Sequence, residues 1–172
     1  MPFDQAFDLL LSHEGGFTAD PRDPGNWTGG GAGQGECRGT KWGISARSYP
    51  GLAIHALTPA DARAIYRRDF WDPLRADSLP PPLALLAFDA GVNAGVGRAA
   101  RWLQGAAGAA MDGAVGPKTL AAVAAGDVQD LCVELHARRL LHTASLPTWP
   151  TFGPGWSRRL CRLPFQAMGM RA

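Results

Sequence analysis

The 172-residue chain contains no uninterrupted apolar run approaching the roughly 18 residues of a membrane span. Its opening, Met1 to Phe7, carries no positive charge and holds Asp4, with Asp8 next, so it does not read as a secretory leader. Only three cysteines are present, Cys37, Cys132 and Cys161, far apart and without a C-x-x-C pair. An odd, dispersed set fits reduced thiols. The four histidines, His13, His55, His136 and His142, are scattered, and a spacing of six keeps His136 and His142 off one helical face. No metal site is expected. Gly-x-Ser-x-Gly is absent, so no nucleophile elbow is visible. The glycine run Gly29 to Gly35 has no preceding strand and no Gly-Lys-Ser/Thr, which argues against a phosphate loop and for a flexible lip over a cleft. No cofactor is implied. A net charge of +2 is too small to require nucleic acid.

What is present describes a globular chain, 46% hydrophobic and 19% charged, with six tryptophans. Charge is uneven. Beyond Asp130, six arginines stand against Glu134 alone, giving +5 and leaving −3 for the rest of the +2 total. A basic end suits a polyanionic partner or a solvated face.

Periodicity sketches a mainly helical molecule with one irregular lobe. Phe3, Ala6, Phe7, Leu10 and Leu11 form an amphipathic stripe that Gly15 and Gly16 should stop. Residues 15–57 are rich in turn signals, with a short strand expected over Thr40–Ser45. Thr58-Pro59-Ala60-Asp61 reads as a capping box, and the helix it opens should carry Ala62, Ile65, Tyr66 and Phe70 or Trp71 inward until Pro73. Leu83 to Ala94 is apolar nearly all round, as a buried central helix must be, with Asp89 and Asn93 sharing a face. Shorter helices are expected over 98–104 and 117–123, another over 128–144, a stiff loop at Pro147, Pro150 and Pro154, and a last helix from about Trp156.

The residues that suggest chemistry lie early. Glu14 continues the core-facing stripe of the first helix, in its last turn. Partial burial and the negative pole of the helix both raise a carboxyl pKa, as a general acid requires. An exposed helix-end glutamate is the equally plain structural alternative. Asp20 and Asp23 follow in turn-forming sequence, where loop carboxylates stay ionised. A protonated acid beside ionised carboxylates is the plan of a glycoside hydrolase, although each aspartate can also simply cap its turn. Trp42 is the tryptophan expected to line a cleft and stack on sugar.

Three early segments then carry a resemblance: His13-Glu14-Gly15-Gly16-Phe17, Asp20-Pro21-Arg22-Asp23-Pro24-Gly25 and Thr40-Lys41-Trp42-Gly43-Ile44-Ser45. Later stretches continue it in order: Phe88-Asp89-Ala90-Gly91-Val92-Asn93-Ala94-Gly95, Asp112-Gly113-Ala114-Val115-Gly116-Pro117 and Gly155-Trp156-Ser157-Arg158-Arg159. Together they resemble glycoside hydrolase family 108, the phage-type and secretion-assisting N-acetylmuramidases. One departure is an apparent insertion, Asn26 to Arg38, which adds Glu36 as a further carboxylate.

The resemblance implies a mainly α, lysozyme-like α+β fold. It assigns residues 1–92 to a muramidase region and 93–172 to a helical peptidoglycan-binding segment packed on it as one compact unit. The implied reaction cuts the β-1,4 bond between N-acetylmuramic acid and N-acetylglucosamine in peptidoglycan glycan strands. Glu14 would be the general acid, Asp23 the second carboxylate (with Asp20 and Glu36 as alternatives) and Thr40 the water-positioning residue. Asp20, Trp42, Asp89 and Asn93 would contact substrate. Inversion is expected by analogy with phage lysozymes. A lytic transglycosylase and a catalytically dead wall-binding module are the rival readings. The expected protein is a monomer made in the cytoplasm that reaches the periplasm or wall through a holin or a dedicated export route.

Overall fold

Pro2 opens the first helix, where a missing N–H costs nothing, and the apolar stripe does the rest. Helix α1, Pro2–Leu11, buries Phe3, Ala6, Phe7 and Leu10. The computed structural model describes residues 2–11 and 16–170; the expected stop at Gly15 therefore lies outside the described residues. By contact the chain divides into two compact units, Phe7–Tyr66 and Met1–Ala6 with Arg67–Ala172. Residues 92 and 93 both lie within one helix, Pro81–Ala94.

The first unit is loops pinned by a small hairpin. Strands β1 (Thr40–Lys41) and β2 (Ile44–Ser45) pair antiparallel, with Lys41 opposite Ile44. The single strand expected here is thus two, because Trp42 and Gly43 form a two-residue turn with φ of 51° and 76°. Two successive positive φ values match the right-handed twist of a tight hairpin. Thr18 bridges to Thr40, and Trp27 to Cys37. Helix α2, Pro59–Tyr66, begins with the expected capping box: the Thr58 amide donates to Asp61 Oδ2 at 2.8 Å, and the Asp61 amide to Thr58 Oγ1 at 3.2 Å. Phe7 packs on Tyr66 with ring centroids 5.7 Å apart.

Helix α2 was expected to continue to Pro73 but ends at Tyr66. A π-helical turn over Arg67–Trp71 follows, then 3₁₀ turns over Asp72–Leu74 and Ala76–Ser78. A π turn takes about one residue more than an α turn. In the second unit Trp71 is fully buried, donating its indole N–H to Asp77 Oδ1 at 2.9 Å and packing edge-on against Phe3 and Phe88.

Helix α3, Pro81–Ala94, is buried from Leu83 through Gly91 and is the axis on which α4 (Val96–Ala106), α6 (Val128–Ala144) and α7 (Trp149–Met168) pack. Helix α5, Pro117–Ala125, follows the Asp112-Gly113 turn. That turn is held by the buried Gln104, whose amide nitrogen donates to Asp112 Oδ1 and Ala114 O and whose oxygen accepts from the Gly113 amide. The stiff loop expected at Pro150 and Pro154 is helix instead: α7 runs through Pro150, Pro154 and Pro164. Pro150 sits in the first turn, where no N–H is needed. Pro164 removes the donor that Leu160 O would otherwise have, and His136 Nε2 takes that place at 2.7 Å. Among the described residues, seven α-helices and one two-stranded sheet make up the mainly α, α+β class expected. No helix there is long and apolar enough to cross a membrane.

Candidate active site

Glu14, the expected general acid, lies outside the described residues. The residues expected around it in the first unit are described, and most belong to one hydrogen-bonded knot. At its centre is Asn26, fully buried, a residue the sequence reading passed over as the edge of an insertion. Its amide nitrogen donates to Asp20 O at 3.0 Å, and its Oδ1 accepts from the Thr40 hydroxyl at 2.7 Å. The Gly39 amide donates to Asn26 O. The aspartate turn and the start of β1 are therefore fastened to each other through one side chain. Gly39 itself, at φ 83°, has no room for a Cβ, which would stand 2.5 Å from Thr18 O.

Each candidate carboxylate has a different environment. Asp20 faces Arg22, which donates to both of its oxygens, and the guanidinium holds the carboxyl below its ordinary value. Glu36 pairs with Arg38 at 2.7 Å and is largely exposed. Asp23 caps a 3₁₀ turn, Pro24–Asn26, through the Gly25 amide on Oδ1 at 2.8 Å. Its other oxygen has no hydrogen-bond partner among the described residues. Thr40 has committed its proton to Asn26, so what its hydroxyl can still offer water is lone pairs.

Trp42 sits at a positive φ, uncommon for a bulky residue. The Tyr66 hydroxyl donates to its carbonyl at 2.8 Å, and Lys41 Nζ stands 4.6 Å from its ring centroid. Lys41 is in turn fixed by donating to His55 O and Leu57 O. The insertion forms an irregular hairpin bonded to itself, the Thr28 amide donating to Glu36 O and the Gly29 amide to Gln34 O.

Asp89 and Asn93 belong to the second unit. Asp89 is only 4% exposed, with Arg159 Nη2 donating to Oδ1 at 2.7 Å and Arg139 Nη2 lying 2.6 Å from Oδ2. Burial pushes this carboxyl up, but the two guanidinium groups outweigh burial and hold it below its ordinary value. The expected substrate contact is thus an internal ion triad, because both oxygens already face arginines. Asn93 is exposed, donates to Asp89 O at 3.1 Å and lines a cavity. The partners of Asp89 stand 50 and 70 residues away, beyond reach of any spacing argument. Among the described residues no three His, Cys, Asp or Glu side chains gather as a metal centre requires. Burial, aided by Asp127, pushes the Cys132 thiol up to about 11, which makes it a poor nucleophile.

Residues 7–95 match the profile of the family described as glycosyl hydrolase 108. The structure of SagA from Brucella abortus is similar over 97% of this chain and 94% of that one, with 32% identity and a TM-score of 0.81. No curated protein matches the chain.

Proposed function

The chain belongs to the glycosyl hydrolase 108 family, and from that premise we propose that it is a peptidoglycan N-acetylmuramidase, a lysozyme of lysis or export type. The bond cut is the β-1,4 link between N-acetylmuramic acid and N-acetylglucosamine. Glu14 protonates the leaving oxygen as oxocarbenium character develops at the anomeric carbon. Asp23 is the second carboxylate. Of the three carboxylates considered, it alone has no cationic partner among the described residues. In the expected inverting reaction that oxygen takes a proton from the attacking water, while Thr40 accepts the water's other hydrogen bond. Trp42 and Asp20 contact the sugars. The observation that carries the reading is the Asn26 clamp, which fixes the Asp23 turn against the Thr40 hydroxyl and so fixes a carboxylate and a water ligand together.

The test is mass spectrometry of a purified wall digest, with Glu14→Gln, Asp23→Asn, Asp20→Asn and Glu36→Gln beside the parent. The parent releases fragments with reducing ends. Glu14→Gln and Asp23→Asn each lose roughly 100-fold or more in rate, the size of a general acid or base contribution. Asp20→Asn and Glu36→Gln lose far less. Products lighter by one water would make the protein a lytic transglycosylase. Wall binding without soluble sugar from any form would make it a binding module. We further propose that the chain is made in the cytoplasm and reaches the wall through a holin or dedicated route; export by cells lacking both would contradict this.

A further inference from the structure

The second unit holds a cavity of about 200 Å³ in which the basic end of the sequence converges. Its wall includes Arg98 from α4, Arg139 and His142 from α6, and Trp156, Arg159 and Leu160 from α7. Three guanidinium groups meet here. Among the described residues, the only carboxylate paired with any of them is Asp89, shared by Arg139 and Arg159. Arg98 Nη1 lies 3.1 Å from His142 Nε2. A guanidinium only donates, so this ring nitrogen accepts and the imidazole is neutral. Burial first, and then Arg98, lower the His142 pKa. The three guanidinium groups of the wall therefore carry two positive charges beyond the one carboxylate, Asp89, that pairs with them. Arg139 Nη1 and Arg159 Nε are buried without a hydrogen-bond partner among the described residues, donor capacity the fold leaves unused.

Such a wall selects an anion, and the planar forks of arginine suit a carboxylate. The volume narrows the choice. Sites for drug-sized ligands run about 300–1,000 Å³, so this one holds a short acidic group and excludes a glycan strand. In peptidoglycan the sugars are neutral once the lactyl group is capped, and the anions are carboxylates of the stem peptide. We propose that this cavity binds a stem-peptide carboxylate, with Arg98 and Arg159 as its charge partners and Trp156 and Leu160 against its aliphatic portion. The naming of a wall peptide rests on the muramidase reading; the anion preference rests on the cavity alone.

The full chain is titrated with L-alanyl-D-glutamate, with its diamide and with inorganic phosphate, and indole and guanidinium signals are followed by NMR. Saturable binding of the dipeptide is expected, at least tenfold tighter than the diamide or phosphate. Arg98→Gln and Arg159→Gln should each weaken it at least tenfold. Arg98→Gln leaves both Asp89 pairs intact, so an unchanged melting temperature in that variant separates lost binding from lost folding. Equal affinity for the diamide, full binding by Arg98→Gln, tighter binding of phosphate, or no binding of any probe overturns the proposal. No cleavage is measured, so failure here leaves the wall digest to decide the hydrolase reading, and a failed digest leaves this titration interpretable.

Discussion

Trp42 is the residue at which local preference and native conformation disagree most plainly. Its φ of 51° is one an L side chain of its bulk rarely adopts, and such a residue costs about 1–3 kcal/mol. The hairpin needs that φ, and Asn would supply it without strain. The Tyr66 hydroxyl on its carbonyl holds the turn itself, and the Lys41 ammonium beside its ring is a contact that the tryptophan side chain makes. In the proposed function Trp42 is the residue that stacks on sugar. Trp42→Asn should therefore leave the melting temperature equal or raise it. It should also raise KM for soluble glycan fragments roughly 2- to 10-fold, matching an aromatic contact of ~0.5–1.5 kcal/mol. Steady-state kinetics with a thermal melt checks both. A lowered melting temperature with KM unchanged would make Trp42 a packing residue.

Among the elements, α7 departs furthest from expectation, and the departure has a chemical cause. Pro150 and Pro154 were expected in a stiff loop, yet α7 contains both, and Pro164 besides. At Pro164 the orphaned Leu160 carbonyl is met by His136 from α6, so the imidazole serves as the missing donor between two helices. Its Nδ1 is buried without a hydrogen-bond partner among the described residues. Burial holds the His136 pKa below 6.5, even though the Leu160 bond works in the opposite direction. The unfolded chain therefore binds the proton more readily than the folded one. Stability is full above 6.5 and falls as pH drops below 6.5 toward the lower folded value. His142, lowered in the same direction, adds to the slope. Melting temperature should decline between pH 7 and pH 5. His136→Gln, which can still donate to Leu160 O but does not titrate, should decline less steeply. Parallel slopes in the two proteins would remove His136 from the acid response.

Across the whole molecule, the sequence shows what is local and misses what is long-range. The α1 stripe, the Thr58–Asp61 capping box, the buried α3 and the 128–144 helix were legible because each depends on residues within two turns. The hairpin within 40–45, the Asn26 clamp and the arginine partners of Asp89 were not, since they depend on backbone angles or on residues 14 to 70 positions apart. Asp89 shows the consequence. Polar and central in an apolar helix, it suggests a substrate contact; in place, it links α3 to α6 and α7 through Arg139 and Arg159. Removing one partner of a buried ion pair leaves an uncompensated charge and costs about 3–5 kcal/mol. Asp89→Ala should lower unfolding free energy by that amount in urea, since two arginines then face each other with no anion between them. Replacing all three, as Asp89→Leu with Arg139→Met and Arg159→Leu, should recover most of the loss, because an apolar set of similar volume incurs no desolvation penalty. Recovery in the triple variant together with loss of dipeptide binding would show that this triad is kept for the cavity it lines; a triple variant as unstable as Asp89→Ala would show that the charges themselves hold the three helices together.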